Sequence, residues 1–215
     1  MKVALIHAMI SSIKPIESAF IEVAPDIERL HFMDTGLLPL IEEDGELTPR
    51  IIRRFSHLVN IAADTEIDAI QLSCSAFNNV TSILQPLYSA KMFRSDEAML
   101  DKALEYNRIG LIATANETPS TLKSYLYSQN KDVHVQVTVN RKALEHLQEG
   151  RINEHDKMIE DMIREIEKEV DVIVLAQYSM AHVVRNIDTS VPVLTGPLLA
   201  AKRCYEYLLT ISDSN

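Results

Sequence analysis

A chain of 215 residues, 47% hydrophobic and 24% charged, has ordinary globular composition, enough for one large domain or two that share a core. Its 21 lysines and arginines against 31 acidic residues leave a net charge of −10, which repels phosphate backbones and argues against a nucleic-acid partner. The five glycines (Gly36, Gly45, Gly110, Gly150, Gly196) are too scattered for a dinucleotide-binding turn, a Walker loop or a nucleophile elbow, so cofactors and serine hydrolases that need such loops are excluded.

The opening Met1-Lys-Val-Ala-Leu-Ile-His lacks the length and cleavage site of a signal peptide, and no apolar stretch approaches the ~18 residues of a membrane span. Two cysteines, Cys74 and Cys204, are too few for a disulfide framework, so a cytoplasmic protein with no membrane partner is expected. The seven histidines include no i,i+4 pair and none beside a cysteine. No metal site is expected from that spacing, although ligands distant in sequence can converge in space.

In chain order, Lys2-Val-Ala-Leu-Ile, Ile67-Asp-Ala-Ile-Gln-Leu, Arg108-Ile-Gly-Leu-Ile-Ala, Val133-His-Val-Gln-Val-Thr-Val and Val170-Asp-Val-Ile-Val-Leu read as buried parallel strands, with Val191-Pro-Val-Leu a candidate last one. Ile51–Ala63 and Lys157–Glu169 carry helical period, and Thr48-Pro49 reads as an N-cap followed by proline at the first helical position. Strands alternating with helices predict an α/β fold with parallel sheet.

The chain also repeats. Lys2-Val-Ala-Leu-Ile pairs with Arg108-Ile-Gly-Leu-Ile, Leu30-His-Phe with Val133-His-Val, Asp44-Gly-Glu-Leu with Glu149-Gly-Arg-Ile, and Ile67-Asp-Ala-Ile-Gln-Leu-Ser-Cys with Val170-Asp-Val-Ile-Val-Leu-Ala-Gln. Four matches in one order at nearly constant offset predict two pseudo-symmetric Rossmann-like (flavodoxin-like) halves. These span residues 1–92 with 196–215, and residues 93–195, their sheets facing a central cleft. Ligands of such folds bind at the carboxyl ends of the strands. That rule selects His7-Ala-Met-Ile-Ser-Ser, Thr114-Ala-Asn-Glu-Thr, Cys74-Ser-Ala-Phe-Asn-Asn and Gln177-Tyr-Ser-Met. Hydroxyls, amides and helix N-termini at these loops suit a small carboxylate.

Among the individual residues, Cys74 ends a strand before a polar turn that leads into a helix, whose N-terminus should lower the thiol pKa and make it reactive. The alternative is a buried structural thiol, the reading preferred for Cys204 within its amphipathic helix. His7 is either a proton donor or a strand-end histidine bonded to backbone. Ser11, Ser12, Ser75, Thr114 and Thr118 are either substrate-holding hydroxyls or helix caps. Tyr178, Ser179 and His182 are candidate pocket-lining residues. His155-Asp156 reads as a helix start, not a dyad, and Glu160–Glu169 as a solvated helix face.

Taken together, Asp68-Ala-Ile-Gln-Leu-Ser-Cys-Ser, Asp96-Glu-Ala-Met, Arg108-Ile-Gly-Leu-Ile-Ala-Thr with Thr118, Val174-Leu-Ala-Gln-Tyr-Ser-Met-Ala and Pro192-Val-Leu-Thr-Gly-Pro resemble the aspartate/glutamate/hydantoin racemase superfamily over nearly the whole chain. The resemblance implies a cofactor-independent enzyme, a homodimer or higher homo-oligomer, acting on a small carboxylate between two cysteines that move a proton from one face to the other. Cys74 matches the first cysteine, and Ser75, Thr114 and Thr118 match carboxylate-binding positions. Gln177 stands at the second cysteine position, where an amide cannot usefully exchange a proton. Three readings follow. In the first, another group (His7, Tyr178, His182 or water) completes a racemase and Gln177 orients substrate. The second is a one-thiol lyase like the related arylmalonate decarboxylases, whose thiol lies at the Gln177 position. The third is a small-acid binding protein without turnover.

Overall fold

The computed structural model describes residues 1–116 and 118–212, apart from the side chain of Asn186; Glu117 of the Thr114-Ala-Asn-Glu-Thr loop lies outside the described residues. The elements run β1 (Lys2–His7), α1 (Ile13–Val23), β2 (Glu28–Met33), α2 (Leu37–Asp44), α3 (Pro49–Ala63), β3 (Ala69–Leu72), α4 (Thr81–Leu84) and β4 (Lys91–Phe93). They continue with α5 (Glu97–Ala103), β5 (Arg108–Ala113), α6 (Thr118–Gln129), β6 (His134–Val139), α7 (Arg141–Gln148), α8 (Ile152–Ile166), β7 (Val172–Leu175), β8 (Val193–Thr195) and α9 (Gly196–Ser212). Two compact units result, Met1–Ser95 with the chain from Pro197 onward, and Asp96–Gly196.

Each unit holds one four-stranded, wholly parallel sheet, in the order β2-β1-β3-β4 in the first and β6-β5-β7-β8 in the second. This is the opening of the flavodoxin-like strand order, in which the direction of winding reverses between the first and third strands. The α/β class with two pseudo-symmetric parallel sheets is therefore as the sequence implies. The central strands are apolar because both faces are covered. Leu5, Ile6, Ile70 and Leu72 in one unit, and Ile109, Leu111, Ile173 and Val174 in the other, are at most 1% exposed. Gly110 lets α8 approach β5, since a Cβ there would lie 2.6 Å from Ile166 Cδ1.

Two strands have no apolar run to announce them. β2 is an edge strand without a fully buried residue, and β4 has only three residues. α3 begins as expected, with Thr48 at the N-cap and Pro49 first in the helix, but the Thr48 hydroxyl makes no cap bond and donates instead to Asp44 at 2.8 Å.

The repeat is written into the hydrogen bonds. The Lys2 N–H donates to the Asp68 carboxylate at 2.7 Å, and the Arg108 N–H donates to the Asp171 carboxylate at 3.0 Å. Ser73 N–H bonds Ile6 C=O at 3.0 Å where Ala176 N–H bonds Ile112 C=O at 2.9 Å. Gly45 and Gly150 follow α2 and α7 with φ of 74° and 77°, the left-handed conformation that closes a helix without a Cβ penalty. One sequence pairing is corrected. β1 pairs Lys2 with Glu28 and β5 pairs Arg108 with His134, so Leu30 corresponds to Gln136 and not to Val133. The three-residue slip has its cause in two apolar-His-apolar triplets, Leu30-His-Phe within β2 and Val133-His-Val at the start of β6, that occupy different registers.

Candidate functional site

At the carboxyl ends of β1 and β3, where winding reverses in the first unit, His7, Ser12 and Ser73 form a buried cluster, each no more than 5% exposed. His7 Nδ1 lies 2.8 Å from Ser73 Oγ and 3.2 Å from Ser12 Oγ, and the two hydroxyl oxygens are 2.9 Å apart. On its other side His7 Nε2 meets His31 Nδ1 at 3.0 Å, and His31 Nε2 meets the Glu17 carboxylate at 3.1 Å. A carboxylate only accepts, so the polarity of the chain is set from Glu17. In the tautomer with its one proton on Nε2, His31 donates to Glu17 and accepts from His7, and His7 Nδ1 is left to accept from Ser73, whose hydroxyl also lies 3.0 Å from Ile6 C=O. Ser12 heads α1 but makes no cap bond there, its hydroxyl donating to Met9 C=O at 2.8 Å instead. Ser11 is half-buried and no hydrogen bond joins it to the cluster, whereas its neighbour Ser12, offered beside it by the sequence, belongs to it.

Burial, with the nearby His31 as a second cause, lowers the His7 pKa from 6.5 to about 4, which keeps the ring neutral. The consequence for stability has a definite sign. Above pH 6.5 the ring is neutral folded and unfolded alike, whereas between 6.5 and about 4 the unfolded chain takes up a proton that the folded chain refuses. Stability is expected to fall across that window by on the order of 3 kcal/mol. Urea midpoints against pH should show the loss in the native chain and a flatter curve in His7→Gln.

Cys74 stands two residues past the end of β3, half-buried, and opens a three-ten helix over Ser75–Val80. The expected lowering of its pKa is not found. Burial pushes the thiol up to about 11, against a smaller opposing effect from the Ala76 N–H. The reason is local. A six-residue three-ten helix supplies one amide near the sulfur rather than the aligned dipoles of a long helix, and desolvation of the thiolate outweighs it. Cys204 is wholly buried, as expected of a structural thiol, with its pKa raised to about 12. The turn after Cys74 is anchored by Asn78, whose amide oxygen accepts from the Ser95 N–H and whose nitrogen donates to the Ser95 hydroxyl, both at 3.0 Å. Ser75, half-buried, directly follows the thiol.

In the second unit the equivalent strands are β5 and β7. Leu72 pairs with Ile6 and Leu175 with Ile112, so Gln177 follows β7 by the same two residues as Cys74 follows β3. Its side chain is held at both ends. Gln177 Oε1 accepts from the Thr114 N–H, and Nε2 donates to Thr118 Oγ1, each at 3.1 Å. Thr114, Thr118 and Gln177 are thus brought together as the sequence reading grouped them. Thr114 is 1% exposed and its Oγ1 is buried with no partner among the described residues. Tyr178 and Ser179, in the three-ten helix that follows Gln177, are 4% and 8% exposed.

His155 and Asp156 are more than a helix start. His155 Nδ1 lies 2.8 Å from Asp156 Oδ1, and His182 Nε2 reaches the same oxygen at 2.7 Å. The correction has a physical cause: His155 shares the buried face of α8 with Ile159, Met162, Ile163 and Ile166, and a ring buried there needs a polar partner. The partner is supplied by the next residue in sequence.

No protein-family model and no curated sequence matches the chain. Its fold, however, matches solved racemases. Glutamate racemase from Francisella tularensis, solved with D-glutamate, matches with 17% identity and a TM-score of 0.77, over 98% of this chain and 81% of its own. An aspartate racemase homologue from Pyrococcus horikoshii matches with 14% identity and a TM-score of 0.74, over 96% of this chain and 98% of its own. Allantoin racemase from Klebsiella pneumoniae matches with 18% identity and a TM-score of 0.62, over 99% of this chain and 89% of its own. The chain therefore has the racemase fold. Among the described residues no helix is long and apolar enough to cross a membrane.

Proposed function

We propose that the chain is a cofactor-independent isomerase of racemase type, with Cys74 moving a proton at the carbon next to the carboxylate of a small amino or hydroxy acid. The observation that carries this reading is the position of Cys74. A half-buried thiol stands at the winding reversal, where ligands of such sheets bind, in a fold that glutamate and aspartate racemases share.

Removing an α-proton leaves a planar carbanion whose charge spreads onto the carboxylate, so preorganised N–H and O–H donors lower the barrier. In the first unit the hydroxyl of Ser75 beside the thiol is suited to donate to a carboxylate oxygen, and in the second the Thr114 hydroxyl, buried and without a partner among the described residues, is a donor of the same kind. Thr118, 8% exposed, has its oxygen engaged by Gln177 and keeps its proton to give. Neutral His7, tied through His31 to Glu17, is placed to restore protons to the cluster beside Cys74. Gln177 orients the threonines and carries no proton itself.

Restoring a thiol at the second position tests this directly. Gln177→Cys is expected to raise racemisation of an enantiopure acid at least about tenfold, followed by circular dichroism. A rate no higher than that of the native chain would mean that the pocket is rebuilt for another substrate and would count against the racemase reading.

The raised Cys74 pKa favours a second reading, in which the resting protonated thiol delivers its proton to a carbanion left by loss of CO₂. Release of CO₂ separates this lyase from the isomerase.

A further inference from the structure

Outside the strand-end groups, α8 and the segment after the Tyr178–Met180 three-ten helix bring two imidazoles and a carboxylate to one point in the second unit. We propose that His155, Asp156 and His182 form a binding site for a divalent first-row transition ion. The three ligand atoms all lie within 4.8 Å of one another. Two nitrogens and one carboxylate oxygen are the donor set of zinc, cobalt, nickel and ferrous sites.

The spacing is close to what coordination requires. A tetrahedral ion about 2.1 Å from each ligand atom holds neighbouring ligand atoms roughly 3.4 Å apart. Asp156 Oδ1 is 2.8 Å from His155 Nδ1 and 2.7 Å from His182 Nε2, so these two contacts open by about 0.7 Å on binding while the two imidazole nitrogens, within 4.8 Å of each other, settle to the same spacing. The ion takes the place of the protons that now lie between nitrogen and carboxylate, and these leave to solvent as it binds.

Burial completes the argument. His155 is wholly buried on α8 and fixed in place, whereas the Asp156 and His182 side chains are 26% and 42% exposed. An ion therefore has a rigid ligand behind it, an entry path in front, and room for water at the remaining positions. The net charge of −10 favours its approach. His182 lies five residues beyond Gln177, so the ion pins the segment that carries Gln177 to the first turn of α8. The site's existence does not depend on the proposed reaction.

The test is calorimetric titration of the chelator-treated full chain with Zn²⁺, at a pH where imidazole is neutral, beside Cys74→Ser, Asp156→Asn and His182→Asn. The amide in His182→Asn can still hydrogen-bond Asp156 but replaces the imidazole ligand, so a purely structural role for His182 would survive it. The expected result is one Zn²⁺ per chain in the native protein and in Cys74→Ser, weakened by at least about 100-fold in the other two variants. The native chain and Cys74→Ser, and neither of the other two variants, should also gain a higher melting temperature with Zn²⁺. Absence of stoichiometric binding would overturn the proposal, as would binding unchanged in His182→Asn or lost in Cys74→Ser. Should a variant fail to fold, the Co²⁺ spectrum of the native chain decides: nitrogen and oxygen ligation without a thiolate charge-transfer band supports the site, and a thiolate band or no bound cobalt overturns it.

Discussion

Cys74→Ser is expected to lower α-proton transfer by about 10³-fold while the chain melts as before. The two effects separate because the substitution changes acidity and leaves shape almost alone. Oxygen replaces sulfur at a half-buried position, and the Ala76 N–H can bond either. A serine hydroxyl, however, gives up its proton far less readily than a thiol and needs an adjacent base to act at all. The pH profile of the native chain sharpens the assignment. With the thiol pKa near 11, the ionised fraction rises about tenfold per pH unit through the neutral range, so a rate limited by thiolate as base climbs steeply there. A rate limited by the thiol as acid stays flat. Racemisation rates across pH, with urea midpoints of both chains, check all of this; a Cys74→Ser chain of native activity would remove the thiol from the mechanism.

Phe77→Ala is expected to cost about 3–5 kcal/mol, the largest single loss of stability proposed for this fold. Phe77 is fully buried and stacks on Phe55 with ring centroids 4.5 Å apart and planes within 6°. Its removal takes away the transfer free energy of the ring and leaves a cavity beside Phe55 in the core cluster that also holds Ile6, Leu72 and Val59. The position matters for the site as well. Phe77 is the third residue of the three-ten helix that Cys74 opens, so the stack holds the thiol's turn against the core. Denaturant unfolding gives the stability loss. Alkylation of Cys74, slow in the native chain because the thiol is desolvated, should quicken in Phe77→Ala as the turn loosens.

The parallel sheets were legible because central strands buried on both faces are largely apolar, as β1, β3, β5 and β7 are apart from Gln71 and the polar residues at the ends of β1 and β5. β2 and β4 were not, one being half-exposed along its length and the other too short for any pattern. The two-fold repeat was legible in Asp68 and Asp171, which do the same thing for the first strand of each unit, and misread by three residues at Leu30. At the strand ends, residue types were enough to group Thr114, Thr118 and Gln177. They offer Ser11 and Ser12 alike, since which of two adjacent serines turns toward His7 depends on backbone direction. The acidity of Cys74 was misjudged because sequence shows that a turn follows the thiol and not how many amides point at it. His182 meets Asp156 from 26 residues away, a convergence that no local spacing records.

Deuterium wash-in tests the central claim most directly. The native chain and Cys74→Ala are incubated in D₂O with a panel of small amino, hydroxy and dicarboxylic acids, and the α-proton is followed by NMR. The account predicts exchange at the α-carbon of at least one acid in the native chain, accompanied by loss of optical purity, and none in Cys74→Ala. Exchange that persists without Cys74, or a native chain that binds an acid of the panel and leaves its α-proton in place, would contradict it.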